Sequence, residues 1–418
     1  MNGLMQFLSA AYTAYQAVDI ARGMLLSNGF CELHEGDAWQ LMPDGKYFVV
    51  RGGSALIAFT MGDAAQGFKI VASHTDSPAL KLKEDPALPD EHYTRLNAEP
   101  YGGGLWYTFF DRPLRLAGRV VHEREGALLS ENFVSGFCVT LPSLAIHLNR
   151  GANEGFAPQM QKDLPVLSLG KTDFSALIGA PLTYDLFAAC AQPPYLWGAE
   201  NELIASPRLD NLASVYASLT TLMGGSEGVC VAACLDSEEV GSRTRQGAGG
   251  DFLSAVLRRI ALAQNMGEEE LLRAYAKSFC ISLDNAQGFH PNHGEKFDPK
   301  ERAMLGKGVA IKGHAGGAYT TDALSSAVIK RVFANANAPL QVFYNRSDAR
   351  SGSTLGAISL GQVCILTADI GLPQLAMHSA VESIACADYR ALEAGLACFW
   401  KSSIRIENDR IGVQTNME

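Results

Sequence analysis

Apolar positions along this chain fall into short runs that stop abruptly at polar groups, separated by stretches of helical spacing. Residues 4–28 repeat apolar side chains at helical intervals and end at Asn28-Gly29, which predicts one amphipathic helix. Residues 46–50, 55–60 and 68–73 read as strands, the last running into His74-Thr-Asp76-Ser-Pro78. Leu212, Val215, Tyr216, Leu219 and Met223 predict a helix starting at Asp210-Asn211, where Asp210 reads either as a cap or as part of a site. Residues 229–235 are uniformly apolar, as a buried strand requires, and break at Asp236-Ser-Glu238-Glu239 before a glycine-rich loop. A helix over 252–262 and strands over 279–284, 341–344 and 362–369 follow, with His378 between a strand region and a helix.

Strands alternating with helices imply an α/β core. The texture changes over 83–189 to many short β-like runs broken by turns such as Asp111-Arg-Pro113 and Glu125-Gly126, which predicts a mostly β insertion. The expected organisation is therefore one body from 1–82 and 190–418, interrupted by a β-rich unit at 83–189. Gly102 to Gly104 is too short a run for a phosphate loop. His147 lies on an apolar stretch, where a core or interface histidine is the ordinary reading.

In open α/β sheets, ligands bind beyond the carboxyl ends of the strands. His74, Asp210, Glu238 with Glu239, Asp284 and His378 all fall at ends or junctions of predicted elements. Each alone reads as a cap or a solvated turn, but their recurrence argues for a common site. Two histidines and several carboxylates, without cysteine, suit zinc, manganese or cobalt. The count fits two ions sharing a carboxylate, ~3.5–4 Å apart, with a bridged water whose pKa falls towards ~7. One acid must stay off the metals as general base. Adjacent Glu238 and Glu239 point in different directions and can divide those roles, while Asp76 in His-x-Asp can orient His74 from behind.

With 34 Lys and Arg against 44 Asp and Glu, the net charge is -10, and no basic run could track a phosphate backbone, so nucleic acid is not an expected partner. No stretch approaches the ~18 apolar residues of a membrane span, and the N-terminus lacks the pattern of a secretory leader. A cytoplasmic protein is expected, and the nine scattered cysteines, Cys230, Cys234, Cys280 and Cys364 among them in apolar runs, read as reduced core thiols.

The stretches VASHTDSPALKLK, YGGGLWYTFFDRPL, LAIHLNR, SPRLDNLAS, DSEEVGSRTRQGA, HPNH, GSTLG and PQLAMHS together resemble the aspartyl aminopeptidase family of dizinc metallopeptidases, in order from about Phe7 to the C-terminus. The resemblance implies a mixed-sheet α/β/α catalytic domain with an inserted β-rich dimerisation domain, assembled as a tetrahedral homododecamer that acts on peptides. It implies Asp210 as bridging ligand, Glu239 and His378 on one zinc, His74 and Asp284 on the other. Glu238 becomes the general base and Asp76 the acid that orients His74. Lys312 and Tyr319 match positions beside the substrate side chain, where a lysine favours an acidic residue, and His147 matches a histidine reaching a neighbouring subunit's site. The chain departs from the family pattern at Arg350-Ser351, at Gln287 and at Ala14-Tyr-Gln-Ala-Val, where a histidine is usual. Two other readings follow from the same residues. One is a dimetal aminopeptidase or amide hydrolase of different specificity; the other is a non-catalytic peptide-binding assembly, which would be expected to lack a ligand or the base.

Overall fold

The computed structural model describes residues 1–169, 173–349, 352, 356, 362–408 and 410–415. Its centre is a nine-stranded mixed sheet in the order Cys31–Leu33, Lys46–Arg51, Ala55–Thr60, Val229–Leu235, Phe68–His74, Phe279–Leu283, Leu366–Gly371, Val309–Gly313, Leu340–Tyr344. The four strands from Val229–Leu235 to Leu366–Gly371 are mutually parallel, so their carboxyl ends share one edge. They are buried on both faces, which is why they read as continuous apolar runs. In Val229–Leu235, Cys230, Ala232 and Cys234 enter one apolar layer, and Val229, Val231, Ala233 and Leu235 the other. The first layer is closed by Leu209–Met223, Ala323–Asn335, Cys386–Lys401 and two N-terminal helices; the second is closed by Phe252–Ala263 and Glu268–Ala276.

Residues 79–190 supply a second sheet, six-stranded and antiparallel throughout, in the order Ala127–Val139, Leu114–Arg124, Thr183–Cys190, Ala79–Leu88, Tyr93–Tyr101, Val166–Leu169. It has its own core around Leu80, Leu116 and Leu186. The architecture is thus a mixed α/β body with a β-rich insert. A third sheet, Tyr195–Trp197, Leu203–Ser206, Glu382–Ala385, Pro373–Leu375 and Ala286–Gln287, packs beside the parallel edge of the first.

Four local expectations change. The predicted N-terminal helix is two, Asn2–Ala10 and Ala14–Ser27, because Thr13 takes extended backbone and its hydroxyl accepts from Tyr15 N as a new cap. Asp210 does not cap a helix: it and Asn211 have non-helical backbone across a cis peptide, and the regular helix begins after them. The last buried strand is Leu366–Gly371, leaving Cys364 exposed outside it. His378 lies in the turn between two short strands, Pro373–Leu375 and Glu382–Ala385, with the helix only after the second.

One close approach fixes the sheet to the acids it carries. A Cβ added to Gly371 would sit 1.8 Å from the carbonyl oxygen of Asp284. Gly371→Ala is therefore expected to push Asp284 aside and cost about 1–3 kcal/mol of stability, read from urea unfolding. Unchanged stability would mean that the backbone there yields without strain.

Candidate metal centre

The carboxyl edge of the parallel strands assembles the cluster. Leu235 pairs with His74, so the turn at Asp236 begins beside the imidazole, and Phe279–Leu283 stops just before Asp284 on the other side. The third sheet supplies Asp210, four residues beyond Ser206, and His378 in its turn. Ser237 (φ 64°) and His378 (φ 64°) both hold left-handed backbone, which non-glycine residues adopt rarely and at a cost. At Ser237 this reversal turns two N–H groups onto Asp76: Glu238 N donates to Oδ1 and Glu239 N to Oδ2, each at 3.1 Å. Tyr101 OH adds a third bond, to Oδ2, at 2.9 Å.

The two imidazoles are oriented alike. His74 Nδ1 lies 3.1 Å from the Asp76 carbonyl oxygen, which only accepts, so that nitrogen carries the proton and Nε2 faces 3.3 Å to Asp210 Oδ1 and 3.5 Å to Asp284 Oδ1. His378 Nδ1 donates to Gly103 O at 3.0 Å, and its Nε2 faces Glu239 Oε1 at 3.4 Å and Asp210 Oδ2 at 3.8 Å. The two Nε2 atoms thus address opposite oxygens of a single carboxylate. Buried Asp210 Oδ1 and Glu239 Oε1 have no hydrogen-bond donor among the described residues. A ring nitrogen set against carboxylate oxygens, with two orphaned buried acceptors, calls for a cation between them: either a proton on the imidazole, which against its burial Asp210, Asp284 and Asp76 favour at His74, or a metal ion.

The donor set fits a divalent ion. Single donor atoms of His74, Asp210 and Asp284 lie within 4.8 Å of one another, as do those of His74, Glu238 and Glu239. The charge balance points the same way. Burial pushes Glu238 up to about 8, with relief from His74 opposed by Asp284, Asp76 and Asp210. Burial and Asp210 likewise push Glu239 well up, and burial with Asp76 lifts Asp236 to about 7. Against its burial, Asp284 is held below the usual carboxylate range by Lys312 and His74. Lys312 is buried, and its Nζ lies 3.2 Å from both Asp284 Oδ2 and Asn285 O.

The structure therefore brings together His74, Asp76, Asp210, Glu238, Glu239, Asp284 and His378, with Lys312 behind Asp284 and Tyr319 over Lys312 at 5.0 Å. His147 stands apart on an exposed turn of the insert, and among the described residues no hydrogen bond, ion pair or ring contact joins it to the cluster. Arg350 and Ser351 lie outside the described residues. Gln16, in the N-terminal stretch that departs from the family pattern, ties its helix to the insert, its Nε2 donating to Gly118 O (2.8 Å) and Phe133 O (3.2 Å). Sequence reasoning missed Glu382, whose carboxylate accepts from Asp210 N (3.0 Å) and His378 N (2.7 Å) and so ties both loops. Burial and the nearby Asp210 push its pKa well up. Its signal was the four-residue step from His378. Tyr101 and Gly103 were also missed: they stand at and just after the end of the strand Tyr93–Tyr101, in a glycine run whose sequence signals only a turn.

A model of the aminopeptidase I zinc metalloprotease (M18) family matches residues 7–178 and 174–400. The chain belongs to the M18 family. A probable M18 family aminopeptidase 2 from Clostridium acetobutylicum is 40% identical over 421 residues, spanning 95% of this chain and 97% of that one. The protein of the same description from Ectopseudomonas mendocina is 37% identical over 96% and 98% of the two chains. Among solved structures, one from the cryo-EM structure of the Ape4 and Nbr1 complex superposes with a TM-score of 0.91 at 31% identity, covering 96% of this chain and 85% of that one. The M18 family aminopeptidase from Thermotoga maritima, at 23% identity, shares the fold with a TM-score of 0.86 over 96% and 95% of the chains. The M18 chain is thus a metal-dependent aminopeptidase, a hydrolase, and the resemblance seen in its motifs holds at family level. Among its described residues, no helix is long and apolar enough to cross a membrane.

Asp76 can be tested directly. In Asp76→Asn an amide replaces one of two accepting oxygens and faces a backbone N–H, so a loss of about 1–3 kcal/mol in urea unfolding is expected. Zinc affinity, measured by competition with a chromogenic chelator, should fall ~10–100-fold as the turn carrying Glu238 and Glu239 loses one of the two carboxylate oxygens that anchor its N–H groups, while the backbone carbonyl that holds His74 stays in place. Tyr101→Phe should be milder, at about 0.5–1.5 kcal/mol. An Asp76→Asn protein that holds zinc as tightly as the parent would remove Asp76 from this arrangement.

Proposed function

We propose that this M18 aminopeptidase releases acidic N-terminal residues, Asp or Glu, from peptides, using two divalent ions, zinc by preference and manganese or cobalt as substitutes. The observation that carries the reading is the shared carboxylate of Asp210, with His74 Nε2 at one oxygen and His378 Nε2 at the other. In this reading His74 and Asp284 would hold one ion, Glu239 and His378 would hold the second, and Asp210 would serve both. When bound, the ions would polarise the scissile carbonyl and lower the pKa of the attacking water towards ~7.

The rest is done by side chains. Glu238 takes the proton of the water as the new carbon–oxygen bond forms and delivers it to the amine nitrogen as the carbon–nitrogen bond breaks. Its burial favours the protonated form, and positive charge nearby favours the ionised form that can act as base. Asp76 keeps His74 and both glutamates in place without touching the substrate. Lys312 and Tyr319 form the wall beside the substrate side chain.

The β-rich insert would join copies of the chain into dimers and these into a tetrahedral dodecamer. Leu128 and Leu129 are exposed on its edge strand Ala127–Val139, and Leu144, Ile146 and Leu148 around His147 are exposed as well. A homo-oligomer would cover them and carry His147 to a neighbour's site. A solved structure of the same fold, 23% identical with a TM-score of 0.82, is an Ape1 dodecamer.

The deciding experiment compares aspartyl-, glutamyl-, leucyl- and lysyl-p-nitroanilide with zinc, manganese or cobalt, beside a Glu238→Gln variant. Metal-dependent cleavage favouring the acidic substrates is expected, with kcat ~10²–10⁴-fold lower in the variant while two ions per chain remain by elemental analysis. Preference for leucyl or lysyl substrate would sink the acidic specificity but keep the chemistry. A variant as active as the parent would sink Glu238 as base.

A further inference from the structure

If acidic side chains are recognised here, a lysine buried behind the site is an incomplete recognition device. Lys312 is 1% exposed, its Nζ already serves Asp284 and the Asn285 carbonyl, and the Tyr319 ring covers it. Its charge favours an anion nearby, yet a substrate carboxylate also needs donors it can touch.

The loop that follows Lys312 carries one. His314, half-buried, meets Tyr319 edge-on with ring centres 6.1 Å apart. Its Nδ1 accepts from Gly316 N at 3.0 Å and Ala318 N at 3.4 Å. A nitrogen that accepts two N–H groups is unprotonated, so the neutral ring carries its proton on Nε2, on the side away from the loop backbone. Gly316 permits this seat, since a Cβ there would lie 2.9 Å from His314 Cε1. Tyr319 is prepared in the same manner: its hydroxyl oxygen accepts from Asn345 Nδ2 at 3.3 Å, leaving its own proton to donate. The loop thus holds two neutral donors, a phenol that covers the buried cation and an imidazole packed edge-on against that phenol.

We propose that His314 is a specificity-determining residue of this chain, donating through Nε2–H to the side-chain carboxylate of the residue to be removed, beside Tyr319 OH. The proposal rests on the acidic reading above. Neutral donors suit the place: they bind a carboxylate strongly without adding a second buried positive charge beside Lys312.

The test separates the two ends of the imidazole. In His314→Asn a side-chain oxygen can still accept from the loop, but the distal donor is lost; in His314→Gln a distal N–H donor is kept. With zinc-loaded full-length protein, kcat/KM for aspartyl- and glutamyl-p-nitroanilide should fall ~10- to 100-fold in His314→Asn, remain within a few-fold in His314→Gln, and leave leucyl-p-nitroanilide unchanged in both. Equal behaviour of the two variants, or a uniform fall on all three substrates, would reduce His314 to a shaper of the loop and overturn the proposal. Should the parent enzyme itself show no preference for acidic substrates, the acidic reading fails with it, and that outcome is visible before any variant is made.

Discussion

Asp76, Asp210, Glu238, Glu239 and Asp284 crowd around His74 and His378, with Lys312 the one lysine bonded to the group among the described residues. Two like charges 4 Å apart repel by about 4 kcal/mol at an effective dielectric of ~20, so such a group does not stay ionised unaided. Much of the surroundings answers that constraint. Asp76 receives two backbone N–H groups and a phenol, Glu382 receives two N–H groups, and Asp284 receives an ammonium. What stays unanswered is Asp210 Oδ1 and Glu239 Oε1, the atoms placed against the imidazole nitrogens. The cluster is preorganised for added positive charge, and the raised affinity of its acids for protons is the same demand met by a smaller cation.

The supporting structure divides this work between rigid and strained parts. Parallel strands buried on both faces deliver His74 and Asp284 to one edge with little freedom. The shorter third sheet brings Asp210 and His378, and here the backbone is forced into the left-handed region at Arg208 and His378. Glu382 holds these two loops together from behind. Strain at such positions persists only where neighbours over-determine it, and the neighbours here are backbone N–H bonds to buried carboxylates.

Much of this was legible in the chain, for physical reasons. Val229–Leu235 reads as buried because both of its faces are, and its acids stand out because they end an apolar run. The same contrast marks His74 and Asp284. Less legible was whatever depended on backbone shape: the break at Thr13, the departure from helix at Asp210 and the turn holding His378 leave weak traces in residue type. Glu382, Tyr101 and Gly103 escaped because each acts through another residue, Gly103 with a carbonyl oxygen that every amino acid possesses. The seat of His314 likewise depends on backbone N–H groups that composition does not reveal.

The contribution of Tyr101 and Gly103 has a consequence for how the protein comes into being. His74 lies near the start of the chain, its partner Asp210 at the middle and His378 near the end, with the loop steadying His378 at the root of the insert. Pairings so distant in sequence form late, after large loops have closed. A chain still emerging from the ribosome, or cut short before residue 378, has strands and acids but only half of the Asp210 arrangement. On the roles proposed above, hydrolytic competence would arrive only once the last of these segments has folded onto the rest.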